Sequence, residues 1–286
     1  MSYLDTIQTF SPLTLDDILR TAERYVPSQY KNCPWRYPGL VHGTALLENE
    51  DQLCCYLAAY GEMHKGKLAC AISRFPFAHI DSNYEIIDWG CGQGIASVYM
   101  LDELRRKGLI DKLQKVTLIE PSKTALNRAK LNVELAVDED VFVEALNYFL
   151  PAVEEISDGN AIGGLHVEEQ ICIHLFSNIL DIDTIDLKEL AYLVGSTGYR
   201  HYFVCVGPVN FGNERISSFL RYFQINNTDI FADVKSGQYR QLPNGKWYGC
   251  MAKGFQVIRE EGKPFLVPLS YYPPNQFFGA YRLDEI

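Results

Sequence analysis

Four residues near residue 90 have the types and the spacing to hold a small ligand. They form the pattern D-x-G-x-G-x-G, made up of Asp88, Gly90, Gly92 and Gly94, which begins near the end of the apolar segment E-I-I-D-W (85–89). Glycines at a turn between a strand and a helix let the backbone bend sharply and approach a ligand closely. The helix that follows offers free N–H groups. The segment therefore predicts a ligand-binding turn.

A carboxylate stands at the end of the next apolar segment, where Glu120 closes T-L-I-E-P (117–121). A carboxylate at that position can accept hydrogen bonds from both hydroxyls of a ribose, as the acidic residue of dinucleotide folds does. Together, the glycine turn and Glu120 indicate a ligand that contains a nucleoside.

Spacing separates two classes of cofactor that use this layout. The dinucleotide pattern G-x-G-x-x-G/A would need glycine or alanine where Ile95 or Ser97 stands. The pattern D-x-G-x-G-x-G, with Glu120 at the tip of the second strand, instead resembles the class I S-adenosylmethionine-dependent methyltransferases. The resemblance covers roughly residues 84–207 and implies S-adenosylmethionine as the cofactor.

The resemblance also implies roles for individual residues. Gly90 and Gly92 would border the methionine part of the cofactor, and Gly94 completes the same binding loop. Asp88 would organise this loop and its contact with the ammonium group, whereas Glu120 would hold the ribose.

The family also places a polar residue near the adenine, after the third strand. Asn147 in A-L-N is the candidate, although the family's usual aspartate is absent there. A helix cap or a turn residue is the alternative interpretation of Asn147.

The predicted fourth strand ends in Ser177 and Asn178, at the edge where open α/β sheets bind ligands. We assign Ser177 to cofactor binding and Asn178 to catalysis, where it would orient the acceptor or close over the donor methyl group. Turn formation is the alternative for Asn178.

The segment lacks the Asp/Asn/Ser-Pro-Pro-aromatic motif of many amino-methylating members and the Pro-Cys of cytosine-carbon methylation. His174, inside the apolar strand, is expected to be a core histidine with a hydrogen-bond partner.

An aromatic face is predicted before the first strand, because Tyr56, Tyr60 and His64 follow one another at four-residue steps of a helix. With Trp35 on the preceding loop, it would form a wall for the cationic sulfonium or simply pack the N-terminal region on the body. His64 is a candidate general base, since the unperturbed pKa of histidine is near 6.5.

Three aspartates, Asp181, Asp183 and Asp186, raise the question of a metal. An acidic first turn of a helix explains this spacing fully, because negative charge is favourable at a helix N-terminus. We predict no metal site.

Strands alternate with helices from residue 84 onward, which predicts an α/β fold: a doubly wound, mostly parallel sheet of the seven-stranded type. An N-terminal helical cap or lid (1–80) precedes a Rossmann-like cofactor-binding domain (81–286) whose C-terminal tail is β-rich. In the cap, Ser11 or Thr14 would begin a helix that ends near Tyr25. The other predicted helices are 48–73, 94–107, 123–135, 184–195 (capped by Asp183) and 213–224, and the strands are 84–90, 115–122, 141–146, 169–178 and 201–207.

Charge and composition narrow the class of partner. The 286 residues carry a net charge of −10, so a broad basic face for nucleic acid is not expected. The basic run 105–107 is interpreted as a solvated helix face. No apolar stretch approaches the ~20 residues of a membrane span, and the N-terminus does not resemble a signal peptide. Eight cysteines without a C-x-x-C pattern indicate free thiols in a cytoplasmic protein.

The resulting prediction is S-adenosylmethionine-dependent methyl transfer to an unidentified acceptor, with a small molecule or a protein favoured. The alternatives are a non-catalytic methyltransferase-like binding or assembly module, and an RNA methyltransferase that uses the local basic patch. Aminopropyl transfer is disfavoured, because no acidic cluster for a polyamine follows the fourth strand. The sequence indicates neither the acceptor nor the oligomeric state.

Overall fold

The computed structural model describes residues 2–40, 46–73, 75–150, 171–195, 200–208, 211–223, 255–260, 263–268 and 276–284. The helices are α1 (Tyr3–Ile7), α2 (Leu15–Tyr25), α3 (Glu50–Ile72), α4 (Ile95–Arg106), α5 (Lys123–Glu134), α6 (Leu187–Gly195) and α7 (Phe211–Arg221). The strands are β1 (Tyr84–Trp89), β2 (Leu113–Ile119), β3 (Phe142–Leu146), β4 (Ile171–Ser177), β5 (Arg200–Pro208), β6 (Phe255–Glu260), β7 (Lys263–Pro268) and β8 (Gln276–Asp284).

The central sheet has the strand order β3-β2-β1-β4-β5-β8. Its first five strands are parallel, and β8 pairs antiparallel with β5. The α/β, mostly parallel class is thus confirmed. The described residues contribute six strands to this sheet rather than the expected seven, because β6 and β7 pair only with each other. These two strands and β8 make the described part of the C-terminal tail β-rich, as predicted. From their residue types we also expect turns in this tail at Gly237, Asn244-Gly245 and Pro273-Pro274, and these residues lie outside the described ranges.

The central strand β1 is buried along its whole length, as expected for a parallel strand with helices on both faces. Tyr84 and Ile86 pack into a core cluster that also contains residues of α2 to α5, whereas Ile87 and Trp89 pack into a second cluster with residues of α6 and α7. The sheet is therefore doubly wound, and its two faces have separate hydrophobic cores.

The predicted helix boundaries are mostly confirmed, because local caps set them. Thr14, not Ser11, is the N-cap of α2 and forms a capping box with Asp17, and the helix ends at Tyr25 as expected. Ser122 is the N-cap of α5. Helix α3 begins at Glu50 rather than residue 48, since Asn49 is its N-cap.

The prediction that Asp183 caps α6 is wrong. The helix begins at Leu187, and the Asp186 Oδ1 accepts hydrogen bonds from the backbone N–H groups of Lys188 (2.9 Å) and Glu189 (3.1 Å). The reason is tertiary: the guanidinium of Arg215 donates to the carbonyls of Leu180, Ile182 and Ile185 and holds this segment in a non-helical turn.

The N-terminal helices are anchored on α4 and α5 by buried polar contacts. The Arg128 guanidinium on α5 lies 3.7 Å from the centroid of the Tyr3 ring, donates to Gln93 (3.3 Å) and pairs with Glu50. Asp102 on α4 accepts from the backbone N–H of Leu15 (3.1 Å). These contacts join α1, α2 and α3 to α4 and α5. The division into a cap (1–80) and a body (81–286) stays a proposal.

Two further features bear on the expected environment of the protein. None of the described helices combines the length and the apolar character that a membrane span requires. The cysteines whose state the structure describes are all free: Cys33, Cys54, Cys55, Cys91, Cys172 and Cys205.

Candidate functional site

A pocket opens at the carboxyl ends of β1 and β4, beneath α3. In this sheet β1 lies between β2 and β4, so the strand order reverses there, and open α/β sheets bind ligands at such a point. The pocket is lined by six of the residues predicted from the sequence, namely Tyr56, His64, Gly90, Gly92, Ser177 and Asn178.

The three glycines of the loop all have a left-handed backbone, with φ of +66° at Gly90, +54° at Gly92 and +76° at Gly94. A Cβ at Gly94 would lie 3.2 Å from the Cα of Ala129, so this glycine permits the close approach of α4 and α5. A Cβ at Gly92 would meet no atom within 4 Å. Gly92 therefore has open space above it, and only its backbone conformation requires glycine.

Asp88 is completely buried behind this loop. Its Oδ2 accepts hydrogen bonds from the Ser97 hydroxyl (2.7 Å) and backbone N–H (3.3 Å) at the start of α4. Its Oδ1 is buried and has no partner among the described residues. Burial raises the pKa of Asp88 to about 7, an effect that the Ser97 hydrogen bonds oppose and the nearby Glu120 carboxylate reinforces. A buried carboxylate oxygen without a donor fits a cationic group of a ligand.

Glu120 connects the two loops at this edge of the sheet. Its Oε2 accepts from the backbone N–H of Gly92 (3.0 Å), and its Oε1 accepts from the backbone N–H of Ser122 (2.9 Å). Burial raises the pKa of Glu120, and these two hydrogen bonds counteract the rise. The tether to Gly92 was not predicted from the sequence. Each carboxylate oxygen keeps a second lone pair that a ligand hydroxyl can use.

Asn147, the predicted adenine neighbour, supports the same loop from the end of β3. Its Nδ2 donates to the carbonyls of Glu120 (2.9 Å) and Pro121 (2.8 Å). The turn-stabilising alternative therefore accounts for its side-chain amide group, while the contact with adenine stays a prediction.

The structure brings together the two residues predicted to be catalytic, although 114 positions separate them. Asn178 Nδ2 lies 2.8 Å from His64 Nδ1 and 3.3 Å from Ser177 Oγ. The second ring nitrogen of His64, Nε2, lies 3.0 Å from the Tyr56 hydroxyl. Burial, reinforced by the positive charge of Lys67, holds the pKa of His64 well below its usual value, so the ring is neutral. The Asn178 backbone is left-handed, with φ of +58°.

Lys67 completes this network and was missed by the sequence analysis. Its ammonium group donates to Asn178 Oδ1, and only 2% of the residue is exposed. Burial lowers the pKa of Lys67 to about 7, against the opposing effect of the nearby Asp181 carboxylate. The spacing of Lys67 in the sequence could have identified it, because Lys67 lies three residues after His64 and residues at this spacing share one face of a helix.

The remaining aromatic residues divide between pocket and core. The Tyr56 ring stacks on His64 at 5.8 Å and lines the pocket. Tyr60 and Trp35 pack in a hydrophobic cluster with residues such as Leu47, which fits the packing interpretation. His174 is a core histidine as predicted, hydrogen-bonded to Trp89 Nε1 (3.1 Å) and His201 Nδ1 (2.9 Å).

Neither the acidic nor the basic cluster forms an obvious ligand site among the described residues. No group of His, Cys, Asp and Glu side chains in the described ranges is arranged to hold a metal ion. In the basic run, Arg105 contacts Asp102 and the Ala136 carbonyl, Arg106 pairs with Glu103, and Lys107 lies over the Phe77 ring.

The sequence matches no protein-family model and no curated protein. Several solved structures are similar to this chain at low identity. The plantazolicin methyltransferase BpumL, in complex with a monoazolic desmethylPZN analog and SAH, is 10% identical with a TM-score of 0.43, over 95% of this chain and 99% of that chain. With SAH alone, BpumL is 11% identical with a TM-score of 0.39, over 72% of this chain and 66% of that chain.

Two other solved structures are also similar to this chain. A SAM-dependent methyltransferase from Aquifex aeolicus is 16% identical, with a TM-score of 0.31, over 51% of this chain and 71% of that chain. Precorrin 8W decarboxylase from Methanobacterium thermoautotrophicum is 14% identical, with a TM-score of 0.35, over 72% and 83%. Similarity at this level identifies neither a reaction nor a ligand.

Proposed function

We propose that this chain is an S-adenosylmethionine-dependent methyltransferase whose cofactor binds at the carboxyl edge of β1, β2 and β4. One observation carries the proposal: the left-handed glycine loop leaves open space at Gly92, whose backbone N–H donates to the Glu120 carboxylate, and the buried Oδ1 of Asp88 at the start of this loop has no partner among the described residues. This arrangement suits a ligand with a cationic group near one end and a hydroxylated sugar further along.

The residues present fit the cofactor part by part. Asp88 would hold the ammonium group, Gly90 and Gly92 would border the methionine part, and Glu120 would accept hydrogen bonds from the ribose. Asn147 would lie near the adenine, and Ser177 would contact the cofactor from the end of β4.

When bound, the cofactor supplies a methyl group that is already activated on a sulfonium. The chain's own task is then to align an acceptor and exclude water. We assign the alignment to Asn178, which the Lys67 and His64 contacts hold at the pocket wall. Both ring nitrogens of His64 are engaged, so the proposal gives it a hydrogen-bonding role instead of the general-base role expected from the sequence.

A small molecule or a protein is the favoured acceptor, because the basic run at 105–107 is paired within the chain and the net charge is −10.

Isothermal titration calorimetry tests the choice of cofactor. The protein is expected to bind S-adenosylhomocysteine and S-adenosylmethionine and to show no heat with NAD. Binding of NAD without binding of either adenosyl compound would refute the proposal. Detection of methyl transfer in a cell extract with labelled S-adenosylmethionine would then separate an enzyme from a binding module.

The glycine loop supplies a second test, since two of its members are expected to fail in different ways. Gly92→Ala is expected to lower the free energy of unfolding by only the left-handed backbone cost of about 1–2 kcal/mol, because its Cβ points into open space. That Cβ would occupy the ligand's place, however, and should weaken S-adenosylhomocysteine binding at least about tenfold. Gly94→Ala adds the contact with the Ala129 backbone and is expected to lose more stability. Denaturant unfolding and calorimetry on both variants measure the two effects. A Gly92→Ala variant with unchanged affinity would contradict the placement of the ligand.

A further inference from the structure

Four side chains form one continuous line of hydrogen bonds from the protein interior to the pocket. Lys67, His64 and Tyr56 lie on α3, and Asn178 lies just after β4. The line runs from the Lys67 ammonium group to Asn178, from Asn178 to His64, and from His64 to the Tyr56 hydroxyl. Lys67 is buried, whereas Tyr56 is half-buried and lines the pocket.

The chemistry of the first residue determines the direction of every bond in the line. In its protonated form, which the nearby Asp181 carboxylate favours, the Lys67 side chain can only donate, so the amide oxygen of Asn178 faces Lys67 and its Nδ2 faces His64. The neutral His64 ring then accepts at Nδ1 and carries its proton on Nε2, which donates to the Tyr56 oxygen. The hydroxyl hydrogen of Tyr56 has no acceptor among the described residues and remains available to a ligand.

A second donor in the same pocket and an acceptor behind the glycine loop complement this hydroxyl. Ile95 and Ala96 at the start of the 12-residue helix α4 line the pocket, and the N-terminus of a helix attracts negative charge. Asp88, behind the glycine loop, has an oxygen that lacks a donor. The pocket thus offers hydrogen-bond donors, and the Asp88 carboxylate lies buried behind its glycine loop; together these groups complement a zwitterionic amino acid group.

We propose that Lys67 is a positioning residue, which orients Asn178 and through it the tautomer of His64 so that the Tyr56 hydroxyl donates to a carboxylate oxygen of the bound ligand. The identity of that ligand rests on the proposed function, in which the carboxylate belongs to the amino acid part of the cofactor. The direction of the hydrogen bonds does not depend on it.

The tautomer of His64 is the direct readout of the positioning role. Nitrogen-15 NMR of the histidine side chains, with His64→Gln to assign the signal among the six histidines, is expected to show the Nε2–H tautomer in the parent protein. Lys67→Met removes the donor and should lose this preference. Asn178→Asp replaces the Nδ2 donor with an acceptor and should reverse the tautomer to Nδ1–H. If Lys67→Met folds and keeps the Nε2–H tautomer, the inference is overturned. If Lys67→Met does not fold, an unchanged tautomer in Asn178→Asp overturns it instead.

Calorimetry with two probes tests the ligand contact. S-Adenosylhomocysteine carries the amino acid group, and 5′-methylthioadenosine lacks it. Tyr56→Phe and Lys67→Met are each expected to weaken the first about 5- to 30-fold and to leave the second unchanged. The double variant should bind no more weakly than Tyr56→Phe, since Lys67 acts through Tyr56.

Lys65→Met is the matched control, because Lys65 lies on the same helix but pairs with Asp16. It is expected to change neither probe's affinity. An equal loss for both probes in Lys67→Met would indicate a general structural defect and would overturn the inference. Absence of S-adenosylhomocysteine binding in the parent protein would instead refute the proposed function, and the tautomer measurement would still decide the role of Lys67.

Discussion

Glu120→Ala is expected to weaken S-adenosylhomocysteine binding roughly 30- to 1000-fold, because two charge-assisted hydrogen bonds to the ribose would be lost, for a total of about 2–4 kcal/mol. The structure adds a second expected effect. The same carboxylate accepts from the backbone N–H groups of Gly92 and Ser122, so its removal should also lower the free energy of unfolding by about 2 kcal/mol. A freely solvated acid at a strand end would change neither quantity.

Two variants separate these effects. Glu120→Gln keeps one oxygen for a backbone donor and is expected to recover part of the stability while binding stays weak, because the amide lacks the charge. Glu144→Ala is the control on the neighbouring strand β3, where the carboxylate pairs with Lys115 at 2.8 Å, and it should leave affinity unchanged. Calorimetry and denaturant unfolding on the three proteins provide the data. A Glu120→Ala variant that loses stability but binds as tightly as the parent would reduce Glu120 to a loop tether and refute its contact with the ribose.

Asp88→Asn is expected to stabilise the ligand-free protein at pH 8 by roughly 2–4 kcal/mol while impairing its binding of the cofactor. Burial raises the pKa of Asp88 from 3.8 to about 7, so the folded chain binds more protons than the unfolded chain between these values. The contribution of Asp88 to stability is therefore lost as the pH rises from about 4 to 7 and stays absent above. The neutral amide of the Asp88→Asn variant does not ionise, so the stability of the variant does not fall in this way as the pH rises. The amide also offers no negative charge to an ammonium group.

The pH dependence of the difference between the two proteins is the measurement. Denaturant unfolding of both at several pH values should show the stabilisation at pH 8 shrinking to nothing near pH 4. Asp102→Asn is the control, because burial raises its pKa too, to about 6, but its carboxylate accepts from Leu15, in a contact between α4 and α2. Asp102→Asn should leave S-adenosylhomocysteine affinity unchanged. If the difference in free energy of unfolding between Asp88→Asn and the parent does not depend on pH, the pKa of Asp88 is not raised in the folded protein and the prediction is wrong.

The order of the elements could be predicted from the sequence because local patterns encode it. The alternation of apolar strands with helices predicted the parallel sheet, and capping residues such as Thr14 and Ser122 marked helix starts almost to the residue. Where a boundary depended on a distant contact, the prediction failed: Arg215 holds the turn before α6, so Asp183 does not cap this helix.

The same division holds for the candidate site. The glycine loop and Glu120 were identifiable from the sequence, because a left-handed turn requires glycine and because parallel strands bring their carboxyl ends to one edge. The sequence could not show that Glu120 tethers Gly92, that His64 bonds to Asn178, or that Lys67 belongs to the site. Asn178, the partner of both Lys67 and His64, is 111 and 114 positions away from them. These contacts exist only because α3 packs against β5 and β8 and so lies beside the residue that follows β4. Residue types and spacing thus determined where a ligand can bind, whereas the packing of one helix on the sheet edge decided which side chains hold one another and which hydrogen remains for the ligand.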